Sequence, residues 1–189
     1  MKKSIGKIEL IHPNPVLIIG TYDKDGNPNV MNAAWGGIVS GDPCGIGISI
    51  RPSRLTHDNL IENKAFTVNI ASADFLKEAD YFGIVSGRDV NKFEKTGLTS
   101  VKSELVNAPL IDEFHYSLEC TVTHTLDLNS HTLFIGEIQD CKLDPSYADN
   151  KGMPDWDKIK PLTFDYNTKK YTIPGEKAGQ AFSDGLKFK

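Results

Sequence analysis

The chain has 189 residues, of which 39% are hydrophobic and 24% charged. That balance fits one globular domain with a proper core and excludes a disordered chain. The formal net charge of −4, with 21 Lys and Arg against 25 Asp and Glu, argues against a dedicated nucleic-acid binder, which would carry a basic stripe or patch.

The opening Met1 to Pro15 holds lysines but no apolar run behind them, so it does not read as a signal peptide, and no later segment approaches the length of a membrane span. Pro15 to Tyr22 is an apolar, β-branched strand. Asp23-Lys24-Asp25-Gly26 supplies a turn, and Asn29 to Trp35 returns as its hairpin partner. Gly45 to Ile50 is the third strand. Ile46, Ile48 and Ile50 point one way, and Gly45, Gly47 and Ser49 the other, because side chains alternate across a strand. Repeated glycine on one face invites close approach by another backbone or a flat ligand.

Arg51-Pro52-Ser53-Arg54-Leu55-Thr56 follows, leading into a helix from Leu55 to about Asn63. A helix start has free N–H groups and a positive dipole end, and here two guanidiniums and two hydroxyls surround it. Spacing alone balances a phosphate site against a solvated turn. A bare strand face for a planar ring beside such a helix start points to a mononucleotide-like cofactor.

Phe66 to Ile70 is a strand, and Ser72 is placed to cap a second helix from Ala73 to about Phe82. Gly83 to Gly97 reads as loop with one helical turn at Asn91 to Lys95. Tyr116 to Leu126 alternates, with Leu118 and Cys120 on one face and Ser117 and Glu119 on the other. A turn at Asp127 to Ser130 leads into the strand His131 to Cys141. Asp144 to Lys160 reads as loop, followed by short strands at Pro161 to Phe164 and Tyr171 to Ile173. Many short strands, two short helices and no β-α-β order predict a mainly β, antiparallel barrel. The three cysteines, Cys44, Cys120 and Cys141, are widely spaced. They suggest neither a disulfide framework nor a zinc site, and fit a reducing, cytoplasmic compartment. Cys120 and Cys141 read as small buried hydrophobes.

Several segments in order carry a resemblance: Asn32-Ala33-Ala34-Trp35, the small-residue strand, Arg51-Pro52-Ser53-Arg54 with Thr56, Phe66-Thr67-Val68-Asn69-Ile70, Ser86-Gly87-Arg88-Asp89 with Lys92-Phe93, and His131-Thr132-Leu133-Phe134-Ile135-Gly136-Glu137. Together they resemble the flavin reductase-like, FMN-binding split-barrel family, most of all its flavoredoxin branch, from about Gly6 to the C-terminal Ala181 to Lys187. The resemblance implies an antiparallel split β-barrel with a few short helices, one domain over residues 1–189. It implies bound FMN, a homodimer with the flavin near the subunit interface, and an oxidoreductase. NADH or NADPH would deliver hydride to the flavin, and electrons would pass to free flavin, oxygen or a redox protein partner. A flavoredoxin-type electron carrier and a non-redox FMN module are the rivals. Neither a nucleic acid nor a membrane is expected as partner.

The resemblance also favours phosphate binding by Arg51, Ser53, Arg54, Leu55 and Thr56. It brings Lys92, otherwise an unremarked loop lysine, close to the flavin, and adds Ser86 and Gly87 through their backbone. Thr56 and Lys92 are read as ligand-facing rather than core. Asn29, Asn32, Ala33, Ala34, Trp35, Ser49 and Ile50 are expected at the ring. An asparagine amide offers both donor and acceptor to the pyrimidine edge. Val30, Asn32 and Ala34 share one strand face and Met31, Ala33 and Trp35 the other, so some of these contacts are expected from backbone. His131 is the candidate catalytic residue, steadying charge on reduced flavin or orienting the donor, and Phe164 is a further aromatic wall. No metal site is expected. No Gly-x-Gly-x-x-Gly, Gly-x-Ser-x-Gly or His-Glu-x-x-His motif occurs, so the chemistry would belong to the cofactor.

Overall fold

The computed structural model describes residues 1–189. Its strands and helices run, in chain order, β1 (Asn14–Pro15), β2 (Leu17–Tyr22), β3 (Pro28–Ala33), β4 (Gly36–Gly41), β5 (Cys44–Ile50), α1 (Leu55–Asn63), β6 (Ala65–Ile70), α2 (Leu76–Ile84) and α3 (Lys92–Thr96). They continue with β7 (Ser100–Lys102), β8 (Pro109–Ile111), β9 (Tyr116–Asp127), β10 (Thr132–Leu143), α4 (Trp156–Ile159), β11 (Thr163–Asp165) and β12 (Lys170–Thr172). Seven strands form one antiparallel sheet in the order β3-β2-β6-β9-β10-β5-β4, which curls on itself as a barrel; β1, β11 and β12 make a small second sheet, and β7 pairs with β8.

Strand β2 is apolar without alternation because both its faces are covered. Leu17 and Ile19 point into the barrel with Ile46, Ile48 and Ile50 of β5, Phe66 and Val68 of β6, Leu118 and Cys120 of β9 and Phe134 of β10. Ile18 points outward into a second core with Val30, Ala79, Phe82, Phe93, Ile111, Phe114 and Leu162. That outer core seats α2 and α3 against β3. Strand β3 therefore also splits its residues: Met31 and Ala33 lie against the interior, and Val30 against the outer layer.

Helix α1 adds Leu60 to the interior and is pinned by polar contacts. Asn59 Nδ2 donates to Thr21 Oγ1 at 2.9 Å, Asn63 Nδ2 donates to the Tyr22 carbonyl at 2.7 Å, and His57 Nε2 lies 2.9 Å from Thr132 Oγ1. Its ends are thereby fixed to β2 and to the start of β10.

Several expectations need correction. The segment after Trp35 is a strand, β4, so Trp35 sits in the link between β3 and β4 rather than at a strand end. Glycine-rich Gly36-Gly37 hid this strand from a propensity reading. Ser72 does not cap with its side chain: a short 3₁₀ turn, Ala73–Phe75, precedes α2, and Ser72 Oγ is buried with no hydrogen-bond partner. The loop between β10 and β11 contains α4, capped by Asp155, whose carboxylate accepts from the backbone N–H groups of Asp157 and Lys158. Cys120 is buried as expected, but Cys141 is exposed, and all three thiols are free. The polar face of β9 is not solvated at Ser117 and Glu119, which are both buried. Glu119 instead accepts from the backbone N–H of Glu104 at 3.3 Å and of Leu105 at 2.8 Å, which satisfies it.

Candidate functional site

Arg54 precedes α1 in an extended conformation, and no side chain caps the helix. The first N–H groups of α1, at Leu55 and Thr56, have no partner within the protein. They open onto a small cavity of about 60 Å³ lined by Asn29, Met31, Asn32, Arg54, Leu55, Thr56, Phe82, Gly83, Val85, Ser86, Gly87 and Lys92. A second cavity, of about 190 Å³, is lined by Met31, Asn32, Ala33, Ala34, Trp35, Ser49, Ile50, Arg51, Arg54, His131, Phe164 and Tyr166. Met31, Asn32 and Arg54 line both, so the two form one cleft running along β3 from the α1 start to the β3–β4 link.

The cleft gathers every residue expected from sequence except Ser53, which is exposed and lines neither cavity. Its place beside Pro52 in the turn turns it to solvent. Thr56 and Lys92, expected to lie outside the core, are buried, 1% and 3% exposed, and both line the small cavity. Thr56 Oγ1 accepts from Asn29 Nδ2 at 3.0 Å. Lys92 opens α3 and turns inward, and its Nζ donates to the carbonyls of Val30 at 2.8 Å and Phe82 at 2.9 Å. Burial, with a smaller contribution from the Arg54 charge, pushes the Lys92 ammonium down to about 8. Two of its three N–H groups are used, which leaves one for the cavity.

No carboxylate lines either cavity, while Arg51, Arg54 and Lys92 do. The one acid in the first turn of α1, Asp58, is held aside by Arg88 at 2.7 Å, which keeps its carboxyl below the usual range. The small end thus combines helix-start N–H groups, a hydroxyl, a guanidinium and a buried ammonium, a donor set that fits a phosphate. Gly87 leaves room for the Asn29 side chain there: a Cβ would fall on Asn29 Oδ1 and come within 2.8 Å of Asn29 Cγ and 3.1 Å of Leu55 Cδ2, so the amide would have to move.

The wide end is aromatic. The rings of Trp35 and His131 lie 4.6 Å apart between centroids, tilted by 36°, and Phe164 contacts Tyr171 at 5.5 Å and Tyr166 at 6.2 Å. The Trp35 carbonyl accepts from the Ser49 N–H at 2.8 Å, which ties the link to the end of β5. Of the small-residue face of β5 only Ser49 lines the slot; Gly47, expected to leave room for a flat ligand, is covered by Val39 and Leu133. Desolvation, aided by the Arg51 charge, lowers the His131 pKa and so favours the neutral imidazole. Sequence reading missed Met31, Phe82, Gly83, Val85 and Tyr166. Met31 was within reach, lying beside Asn32 on β3; Phe82 and Gly83 end α2, whose packing against β3 is a tertiary contact, and Val85 and Tyr166 sit in links between elements.

A model of the flavin reductase like domain matches residues 10–172. The chain belongs to this family. It is similar to the flavoredoxin of Desulfovibrio vulgaris, with 42% identity, 98% of this chain and 100% of that one covered, and a TM-score of 0.93. The flavoredoxin of Methanosarcina acetivorans matches at 32% identity over 100% of both chains with a TM-score of 0.94. An uncharacterized protein of Archaeoglobus fulgidus is 35% identical over 78% of this chain and 82% of its own length. The architecture is accordingly the split barrel of flavin reductase-like proteins, with a seven-stranded antiparallel sheet and few short helices. No helix is long and apolar enough to cross a membrane.

Proposed function

We propose that this chain binds FMN in the β3 cleft and acts as an oxidoreductase that takes electrons from NADH or NADPH and passes them to free flavin or to a protein acceptor. One observation carries the reading. A carboxylate-free cleft joins a phosphate-fitting helix start to an aromatic slot walled by Trp35, His131 and Phe164, and the two ends meet at Asn32. Leu55 and Thr56 N–H groups, Thr56 Oγ1, Arg54 and Lys92 would hold the phosphate. Ala33 to Trp35, Ser49, His131 and Phe164 would wall the ring.

When bound, FMN supplies hydride and single-electron chemistry. The chain's own residues bind and orient. The Trp35–His131 pair covers one end of the slot, and a neutral His131 can donate or accept one hydrogen bond without bringing a charge to the ring. The exposed thiols Cys44 and Cys141 are compatible with a cytoplasmic setting.

The proposal includes a homodimer. The edge strand β4 exposes Ile38 and Val39, 65% and 53% accessible. Both line an apolar depression of about 610 Å³ that also reaches Trp35, Ser49 and Leu133. A second copy there would cover the apolar edge and close the open side of the ring slot. Sedimentation of the holo-protein tests this, and a monomer that keeps full FMN affinity on dilution refutes the shared site.

The two flavoredoxins among the similar structures favour a second reading, an electron carrier with little direct use of nicotinamide. The deciding experiment is the absorption spectrum of the purified protein, followed by anaerobic addition of NADH and of NADPH. A yellow protein bleached at catalytic speed supports the enzyme. Slow bleaching by both donors supports the carrier. Bound flavin reduced no faster than free flavin supports a non-redox module, and a colourless protein that takes up no FMN refutes all three.

A further inference from the structure

Asn32 stands at the junction of the cleft and lines both of its cavities, and also a third of about 320 Å³ beside α2. An asparagine amide normally offers a donor and an acceptor, and which one faces a ligand is left open by sequence. Here the surroundings decide. Asn32 Nδ2 lies 3.0 Å from the Ala79 carbonyl oxygen. A backbone carbonyl only accepts, so the atom facing Ala79 must be the nitrogen. The second Nδ2 hydrogen points to the Tyr171 hydroxyl at 3.4 Å, and that hydroxyl donates to Asp80 Oδ1 at 2.9 Å. Burial and the Asp80 carboxylate push the Tyr171 phenol up to about 12, so it keeps the proton that it donates. The chain of donors therefore runs one way, from Asn32 to Tyr171 to Asp80. Both amide hydrogens are consumed, and Asn32 Oδ1 has no partner in the protein.

Gly83 on α2 packs beside the amide: a Cβ there would stand in ordinary van der Waals contact, 3.4 Å from Asn32 Cβ and 3.8 Å from Nδ2.

We propose that Asn32 is a fixed hydrogen-bond acceptor that selects a ring N–H of the ligand, and that Tyr171 and Asp80 are positioning residues that hold it so. The inference rests on the cleft being a flavin site. The pyrimidine edge of an oxidised isoalloxazine presents two carbonyl acceptors around a single N–H, at N3. An Asn32 that can only accept would meet that N–H and no other atom of the edge. A ligand whose edge carries no N–H leaves Asn32 Oδ1 desolvated and unpaired, which weakens its binding.

The test uses the full chain titrated with FMN, 3-methyl-FMN and riboflavin, followed by flavin fluorescence. Wild type is expected to bind 3-methyl-FMN at least about tenfold more weakly than FMN. Asn32→Ala should bring the two affinities together while FMN stays tighter than riboflavin. Tyr171→Phe should narrow the FMN to 3-methyl-FMN ratio and leave the FMN to riboflavin ratio unchanged, a pattern that loss of stability would not produce. A readout on wild type alone is the N3 proton of ¹⁵N-labelled FMN, expected downfield and slow to exchange when bound.

The outcomes separate the two layers. Equal binding of FMN and 3-methyl-FMN, with riboflavin weaker, overturns the Asn32 assignment and spares the phosphate site. Weak 3-methyl-FMN binding with FMN and riboflavin equal supports Asn32 and overturns the phosphate site. No binding of any flavin overturns both.

Discussion

Replacing Gly87 by alanine puts a methyl group where the Asn29 side chain already stands. The new Cβ falls on Asn29 Oδ1, 2.8 Å from its Cγ and 3.1 Å from Leu55 Cδ2. Asn29 is the end of a short side chain and can swing away, but it is buried and its Nδ2 donates to Thr56 Oγ1 at 3.0 Å. Moving it breaks that bond, at about 0.5–1.5 kcal/mol, and pushes its torsions off a staggered well, at about 0.5–1.5 kcal/mol more. The φ of Gly87 is not positive, so the backbone accepts alanine, and the lost freedom of the unfolded chain returns about 0.4–1 kcal/mol. The net effect on the apo-protein should be about 0–2.5 kcal/mol of destabilisation. Binding should suffer as well, because a displaced Asn29 releases Thr56 Oγ1 and the methyl group narrows a cavity of only about 60 Å³. We expect FMN to bind at least about tenfold more weakly, with riboflavin almost unaffected. Fluorescence titration of both flavins against wild type and Gly87→Ala, with apo thermal melts alongside, gives the answer. A variant that binds FMN as tightly as wild type would refute the placement of the phosphate beside Gly87.

Other perturbations probe the same cleft and its frame. Thr56→Val strands the buried Asn29 amide and should lower apo stability by about 1–3 kcal/mol as well as weaken FMN, whereas Thr56→Ser restores both; equal melting of Val and wild-type chains would contradict the buried pair. Lys92 has its pKa lowered from 10.5 to about 8 by burial, so the folded chain holds this proton less tightly than the unfolded one. Its burial penalty is then fully present below pH 8, and stability rises as pH climbs from about 8 toward 10.5, a slope that Lys92→Met should flatten in denaturant titrations. FMN affinity runs the opposite way: it should fall above pH 8 as the ammonium is lost, and a pH-independent affinity would remove Lys92 from the phosphate. Gly136→Ala would drive a Cβ to 2.5 Å from Cε1 and Cζ of the fully buried Phe66 ring, and should cost about 1–3 kcal/mol of stability by chemical denaturation without changing the FMN to riboflavin ratio.

The strands that carry long apolar or alternating runs, β2, β5, β6 and β9, were legible because their patterns report burial directly, and α1 was readable to its exact bounds at Leu55–Asn63. The ordered motifs from Asn32 to His131 brought the family with them, and through it most of the residues that line the cleft, because their order and spacing together are specific where each alone also fits a solvated turn or a core position. Other features were set by contacts between distant segments. β4 exists because Gly36 to Gly41 pairs with β5, a partnership that two glycines do not advertise. Lys92 looked like a surface lysine because nothing near it in sequence shows that the Val30 and Phe82 carbonyls would receive it. The polarity of Asn32 is the clearest case. An amide has no preferred side in sequence, and only the arrival of Ala79 from α2 and Tyr171 from β12 decides that its nitrogen is occupied and its oxygen left free.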